Sequence, residues 1–140
     1  MAKDTQLSNA AVNAEADALA RLLDNGYLRV YDGTKPATGN TAISGNTLMS
    51  EHRFSATSAP PASNGVLTFN AITAPTAISG GNPTWFRALK SDGTTGVMDG
   101  TCGTTGSASN LEFASLPLVL GGVVTIASFA HTVPAATSGV

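Results

Sequence analysis

Few residues in this sequence have the types and spacing that chemistry requires. His52 and His131 lie far apart, and neither has carboxylates nearby in the spacing of a metal site. We expect each to point from a strand to solvent or to a neighbouring side chain. Asp92 and Asp99 could supply the two carboxylates of a glycosidase, but each precedes a glycine, and Asp-Gly is common turn chemistry. We therefore interpret both aspartates as turn-forming residues.

The remaining candidates for chemistry are weaker. Cys102 is the single cysteine, which excludes an intramolecular disulfide and a thiolate metal cluster, and we interpret it as a small buried hydrophobe. No serine lies in a Gly-x-Ser-x-Gly elbow, and the Gly-rich stretch 79–82 lacks the lysine and helix of a phosphate loop. The sequence thus predicts a protein that is not an enzyme and has no catalytic, cofactor-binding or metal-binding residues.

Trp85, the only tryptophan, has Phe86 beside it. Neighbouring residues of a strand point to opposite faces of the sheet. We therefore expect one ring in the core and the other beneath a helix or in an interface. An exposed tryptophan could instead be a sugar-stacking platform or the centre of a protein interface.

The composition indicates a surface that is wetted by hydroxyls and amides more than by charge. Only 11% of the residues are charged, against roughly 25% in an ordinary globular protein. Such a surface repels neighbours poorly and is typical of a protein that is packed against others. Seven basic and nine acidic residues give a net charge of −2, which provides no basic field for nucleic acid or anionic lipid. No charged residue follows Glu112.

The sequence shows neither a signal peptide nor a membrane span. Its first residues have no apolar region, and the longest apolar run, 116–126, is interrupted by Pro and Gly and is too short to cross a bilayer. We expect synthesis in a cytoplasm.

The elements that would position these residues begin with a helix. Ser8 or Asn9 can cap it, and Gly26 is expected as the left-handed residue after its C-terminus. Its apolar stripe recurs at helical spacing at Val12, Ala16, Leu19 and Leu23.

Alternating or β-branched segments predict strands over the rest of the chain. Residues 84–103 form the predicted central hairpin, with Asp-Gly at its turn. Other strands are predicted at 27–31, 47–56, 66–72 and 123–133, with brief pairing at 76–79 and 111–113. Regular short strands favour a mainly all-β fold, a jelly roll or β-sandwich of about eight antiparallel strands, with the N-terminal helix packed on it.

One domain is expected at this length. We place it at residues 8–134, with a flexible N-terminal arm at 1–7 and a flexible C-terminal tail at 135–140. The first eight residues and the uncharged tail after Glu112 are candidate arms for strand addition to a partner, and solvated tails are an equally good interpretation.

Several segments together resemble a known family. Leu-Leu-Asp-Asn-Gly at 22–26 leads into Tyr-Leu-Arg-Val-Tyr-Asp-Gly-Thr-Lys-Pro at 27–36. Later come Trp-Phe-Arg-Ala-Leu at 85–89, Ser-Asp-Gly at 91–93, Val-Met-Asp-Gly-Thr-Cys-Gly at 97–103, and Gly-Gly-Val-Val-Thr-Ile-Ala-Ser-Phe-Ala-His-Thr-Val-Pro at 121–134. The pattern covers most of residues 8–134. It resembles the small virion proteins of tailed bacteriophages, in particular the capsid cement, or head decoration, proteins with a jelly-roll fold.

The resemblance implies a structural protein on the outer surface of an icosahedral phage head. Such proteins often act as dimers that bridge neighbouring major capsid protein subunits and reinforce the shell against the pressure of the packaged DNA. It therefore implies the major capsid protein as partner and a homodimer, with a trimer left open. The family offers no catalytic residues to carry over to this chain.

Two other functions fit a β-rich domain of this kind. A carbohydrate- or receptor-binding sandwich displayed on the virion would place exposed aromatics and Asp or Asn on the loops at one end. The eight aromatics of this chain lie mostly within predicted strands, which argues against that function. A structural component of the tail or neck is the other alternative.

Overall fold

The computed structural model describes residues 4–134 and 136–138, and it is mainly β with one helix, as the sequence predicts. The elements are β1 (Asp4–Gln6), α1 (Asn9–Leu23), β2 (Tyr27–Tyr31), β3 (Leu48–Arg53), β4 (Val66–Thr68), β5 (Trp85–Leu89), β6 (Gly96–Thr104), β7 (Leu111–Phe113), β8 (Ile126–Thr132) and β9 (Ala136–Ser138). None of the described residues belongs to a helix with the length and apolarity needed to cross a bilayer.

The main sheet has seven strands in the order β3-β2-β5-β6-β7-β8-β4. Five of its neighbouring pairs are antiparallel, but β6 and β7 run parallel. The sheet is therefore mixed, which corrects the expectation of antiparallel strands throughout. The cause is local: the Asn110 side-chain oxygen accepts hydrogen bonds from the amide and the hydroxyl of Thr101, and this folds the short connection back along β6. The jelly-roll arrangement stays a prediction.

A separate two-stranded sheet joins the ends of the chain. β1 pairs antiparallel with β9, with Thr5 opposite Thr137. The sequence assigned these segments to a flexible arm and a flexible tail, and the described parts of both pair with each other. Residues 1–3, 135 and 139–140 of those segments lie outside the described residues.

The helix begins and packs largely as its sequence predicts. The Ser8 side chain accepts a hydrogen bond from the Ala11 amide and so caps the N-terminus. The buried positions of the helix are Val12, Ala16, Ala20 and Leu23, so Ala20 takes the place expected for Leu19. The left-handed residue after the helix is Asn25, with φ of 57°, and not Gly26.

Gly26 is required for another reason. A Cβ at Gly26 would collide with the carbonyl oxygen of Leu89 and lie 2.8 Å from that of Leu23. The helix end thus lies against the end of β5 with no room for a side chain. The contact sets where α1 meets the sheet.

The predicted hairpin at 84–103 is confirmed. β5 pairs with β6, and the turn between them is closed by a hydrogen bond from the Lys90 amide to the Thr95 carbonyl. The hairpin is central in the main sheet, since β5 also pairs with β2. One core covers its Phe86 face and includes the buried residues Leu23, Leu28, Val30, Met49, Phe54, Phe86, Leu111, Phe113 and Phe129.

The predicted strand at 66–72 is shorter than expected, because β4 ends at Thr68. Beyond that point the Asn70 amide donates to the Ser58 carbonyl, and its side-chain nitrogen donates to the Thr57 carbonyl. These two bonds turn the chain away from β8. The divergence leaves a groove between residues 68–72 and 126–130.

Candidate interaction surface

His52 lies in the interior and not at the surface of its strand. The residue is 0% exposed, with one ring nitrogen, Nδ1, 2.8 Å from the Thr73 carbonyl oxygen. Because a carbonyl can only accept, Nδ1 carries the proton and donates, and Nε2 accepts from the Ser50 hydroxyl at 3.0 Å. Burial lowers the pKa of His52. This Ser-His pair resembles a catalytic dyad in its bonding, but Ser50 is also 0% exposed and has no access to a substrate.

Asp99 forms a buried ion pair and does not form a turn, which corrects the sequence interpretation. Its two carboxylate oxygens accept from Arg87 Nε at 2.7 Å and Nη2 at 2.9 Å, and the two side chains are 5% and 7% exposed. The guanidinium also donates to the carbonyls of Thr38 and Thr41. The pair therefore fastens the 36–46 loop to the sheet, and the hydrogen bonds to Asp99 raise the pKa of Arg87.

Asp92 is confirmed as a turn residue. Its carboxylate accepts from the amides of Thr94 and Thr95 at 2.9 Å each and from the Thr95 hydroxyl at 2.5 Å. These bonds hold the pKa of Asp92 far below its usual range. Asp92 and Asp99 are thus engaged separately, one in a turn and one in an ion pair.

Among the described residues, neither the cysteine nor the second histidine has a partner for chemistry. Cys102 is half-buried against the main core, and burial raises the pKa of its thiol, which makes it a poor nucleophile. His131 is half-buried in β8, and burial lowers its pKa. Over residues 4–134 and 136–138, no group of three His, Cys, Asp or Glu side chains could hold a metal ion.

Both rings of the Trp85–Phe86 pair are buried, at 0% exposure. Phe86 is in the main core, as one ring was expected to be. Trp85 is on the opposite face, stacked on Tyr31 with ring centroids 4.8 Å apart, and its indole N–H donates to the Asp32 carbonyl at 3.0 Å. It is therefore neither beneath the helix nor available as an exposed platform for a sugar.

The most distinctive surface feature is a corner of exposed apolar side chains, which we call the apolar ledge. Its members are Ile78 at 51% exposure and Val119, Leu120 and Val123 at 69% each. Two loops carry them, and these loops are joined by bridges from Thr76 to Val123, Ala77 to Leu120 and Gly81 to Leu118. The backbone hydrogen bond from the Ile78 amide to the Met49 carbonyl fastens the first loop to β3.

The ledge has no charge of its own, since segments 73–81 and 114–125 contain no Asp, Glu, Lys or Arg. Pro and Gly interrupt the apolar run 116–126 of the sequence, but we did not predict from it that apolar residues of this run would be exposed. A signal for them existed: Val119 and Leu120 lie between Pro117 and Gly121, and residues of such a turn usually reach the surface.

A second feature, the β4–β8 groove, is a depression of about 490 Å³ lined by residues 68–72 and 126–130. Its floor includes Phe69 and Phe129, whose rings are stacked with centroids 4.6 Å apart. The groove and the ledge are both surface features of the described residues that suit an interaction with another molecule.

No family model, no curated protein and no solved structure matches this chain.

Proposed function

We propose that this chain is a non-enzymatic virion protein that binds the outside of an icosahedral phage head and cements neighbouring subunits of the major capsid protein. The observation that carries the proposal is the apolar ledge. Four large apolar side chains lie on two bridged, uncharged loops, and three of them, Val119, Leu120 and Val123, are 69% exposed. Clustered apolar exposure of this kind marks a surface that another protein covers.

The rest of the molecule supports an assembly role. The polar groups that could do chemistry are used within the fold, as in the buried Ser50–His52 and Arg87–Asp99 pairs. The resemblance of residues 8–134 to capsid cement proteins implies the major capsid protein as the partner and a dimer between capsid subunits as the arrangement, with a trimer left open.

The mechanism is thermodynamic. A cement protein that binds the assembled shell, but not the free subunit, adds its binding free energy to the stability of the shell. Many identical contacts over a capsid lattice sum to a large effect even when each contact is weak.

The test is sedimentation of the purified chain with expanded heads that lack it, beside a parallel sample of unassembled capsid protein. We expect co-sedimentation with heads and none with free subunits. The variant Val119→Lys/Leu120→Lys should lose most of the binding, because it places two ammonium groups in an apolar contact.

Ala14→Lys/Ala18→Lys is the matched control, since it adds the same charge to two exposed positions of α1. It should bind as the unchanged protein does. Failure of the chain to bind heads would refute the proposal, and retention of a glycan on an array in that case would favour the carbohydrate-binding alternative.

A further inference from the structure

The β4–β8 groove has an open backbone edge on each side. β8 pairs with β7 through one edge from Ile126 to Phe129, but its other edge meets β4 only between Ala130 and Thr132. Within the described residues, the edge of 126–129 that faces the groove therefore has no strand beside it. Such an edge presents N–H and C=O groups that can pair with an added strand.

The opposite wall is open in the same way. Within the described part of the chain, the amides of Ala71 and Ile72 make no hydrogen bond, whereas the preceding Asn70 amide is bonded to Ser58. Asn70 and Ala71 are exposed, and Ile72 is half-buried. Donors that solvent can reach exchange water for the carbonyl groups of a ligand at little cost.

The lining determines what could lie between the two walls. It has no charged residue and combines methyl groups, two phenylalanine rings and the hydroxyl and amide groups of Thr68, Asn70 and Ser128. A charged ligand would lose hydration here and gain no partner. An uncharged extended peptide fits both the open edges and the uncharged lining. Its backbone groups can pair with the edges, and its small or apolar side chains can pack on the floor.

We propose that the β4–β8 groove receives one extended, uncharged peptide segment of the partner protein, which adds as a strand along β8. Four to five residues fit, since the open edge spans roughly 13 Å at about 3.3 Å per residue. Backbone bonds supply the affinity, and the alternate side chains that reach Phe69 and Phe129 supply the selectivity. That the segment belongs to the major capsid protein rests on the proposed function.

The first test needs no capsid. The probe is the capped pentapeptide acetyl-Thr-Val-Thr-Val-Thr-amide, titrated to millimolar concentration into ¹⁵N-labelled full-length chain. We expect amide chemical-shift changes confined to 68–72 and 126–130, and slower hydrogen exchange at Ala71 and Ile72. No change at these residues, or changes of equal size elsewhere, would overturn the proposal.

Two variants sharpen the titration. Ala127→Glu places a carboxylate in the groove, and Ala71→Pro removes a donor that the described part of the chain does not use. Each should weaken peptide binding at least tenfold. Ala18→Glu, on the exposed side of α1, is the control and should bind the peptide unchanged. Equal affinity in all three variants would also overturn the proposal.

The second test uses expanded heads and separates this proposal from the proposed function. Hydrogen exchange is compared between the free chain and the chain bound to heads, and we expect protection at Ala71 and Ile72 as well as at the ledge. Binding to heads with protection at the ledge alone would overturn the groove proposal and leave the cement function intact. If the chain did not bind heads but did bind the peptide in the groove, the cement function would be refuted and the groove proposal would stand.

Discussion

At the scale of single residues, the fold depends on polar groups that are buried and fully paired. The buried side-chain nitrogen and oxygen atoms of the described residues all have hydrogen-bond partners. Removing one partner of a buried ion pair leaves the other charge buried and uncompensated, so the Arg87–Asp99 pair predicts a large mutational effect.

Asp99→Ala leaves the Arg87 guanidinium buried without its carboxylate, and we expect a loss of about 3–5 kcal/mol in the free energy of unfolding. Urea denaturation followed by circular dichroism measures it. The matched control is Glu51→Ala, which breaks the Arg29–Glu51 pair, whose side chains are 26% and 37% exposed. That pair should contribute less than about 1 kcal/mol. Equal effects in the two variants would contradict the assigned burial.

Trp85→Ala should cost about 3–5 kcal/mol in the free energy of unfolding, because it removes a 0% exposed ring together with its stacking on Tyr31. Leu120→Ala removes an apolar side chain that is 69% exposed and should change the stability by less than about 0.5 kcal/mol. A cost below about 1 kcal/mol for Trp85→Ala would mean that the ring lies at the surface.

His52 makes the stability depend on pH with a definite sign. Its pKa in the folded chain is lowered by burial from the ordinary 6.5. As pH falls below about 6.5, the unfolded chain takes up a proton that the folded chain does not, so stability decreases. Burial also lowers the pKa of His131, so His131 contributes to the same loss of stability at low pH. Denaturation at pH 7.5 and 5.5 tests this, and His52→Gln should show a smaller pH dependence; an unchanged dependence would exclude His52 as its source.

At the scale of elements, the contact of α1 with the sheet gives the clearest prediction. Gly26→Ala forces a Cβ onto the backbone carbonyl of Leu89 and should destabilise the fold by about 1–3 kcal/mol or more. Asn25→Gly should be neutral or stabilising, because it relieves a left-handed conformation with φ of 57°. Thermal unfolding of the two variants separates them. If Asn25→Gly destabilised the fold more than Gly26→Ala does, the close approach of Gly26 to the Leu89 carbonyl would not be the constraint on this segment.

Elements whose signals are local could be predicted from the sequence. The Ser8 cap, the alternation of Tyr27–Tyr31 and the Asp-Gly turn of the central hairpin each depend on residues a few positions apart. Features that depend on distant partners could not. β4 ends early because Asn70 bonds to Thr57 and Ser58, and β6 pairs parallel with β7.

The same limit applies to the candidate surfaces. Asp99 before Gly100 has the signature of a turn, and only the register that places Asp99 opposite Arg87 shows its role. The β4–β8 groove arises from a divergence between segments that are far apart in sequence. The ledge was within reach of sequence reasoning, because apolar residues in a turn bounded by Pro117 and Gly121 have few neighbours to cover them.

At the scale of the whole molecule, charge is concentrated near one end of the sequence, and most of the large exposed apolar side chains lie elsewhere. Nine of the sixteen charged residues lie within residues 3–35, and none follows Glu112, so β8 and three of the four ledge residues, Val119, Leu120 and Val123, belong to the uncharged part of the chain. An uncharged surface carries little mutual repulsion and can be brought close to a neighbour. This division suits a protein with one face toward a partner and another toward solvent.

If the chain cements a shell, its effect should follow mass action. Expanded, DNA-filled heads that lack it should release DNA at higher temperature as the chain is added, with a shift that grows with the logarithm of its free concentration. At 100 times the dissociation constant, each occupied site contributes about 2.7 kcal/mol. Fluorescence of a DNA-binding dye during heating measures the release.

The ledge variant Val119→Lys/Leu120→Lys should need a higher concentration for the same shift in release temperature, because it weakens binding without changing the number of sites. Ala14→Lys/Ala18→Lys should follow the curve of the unchanged chain, which excludes net charge as the cause. A release temperature that is independent of concentration, or an equal displacement by both variants, would contradict binding through the ledge. If the ledge is the single binding surface, only the curve of the ledge variant should move to higher concentration, with its shape unchanged. The reason is that the substitution changes the affinity of each site and nothing else.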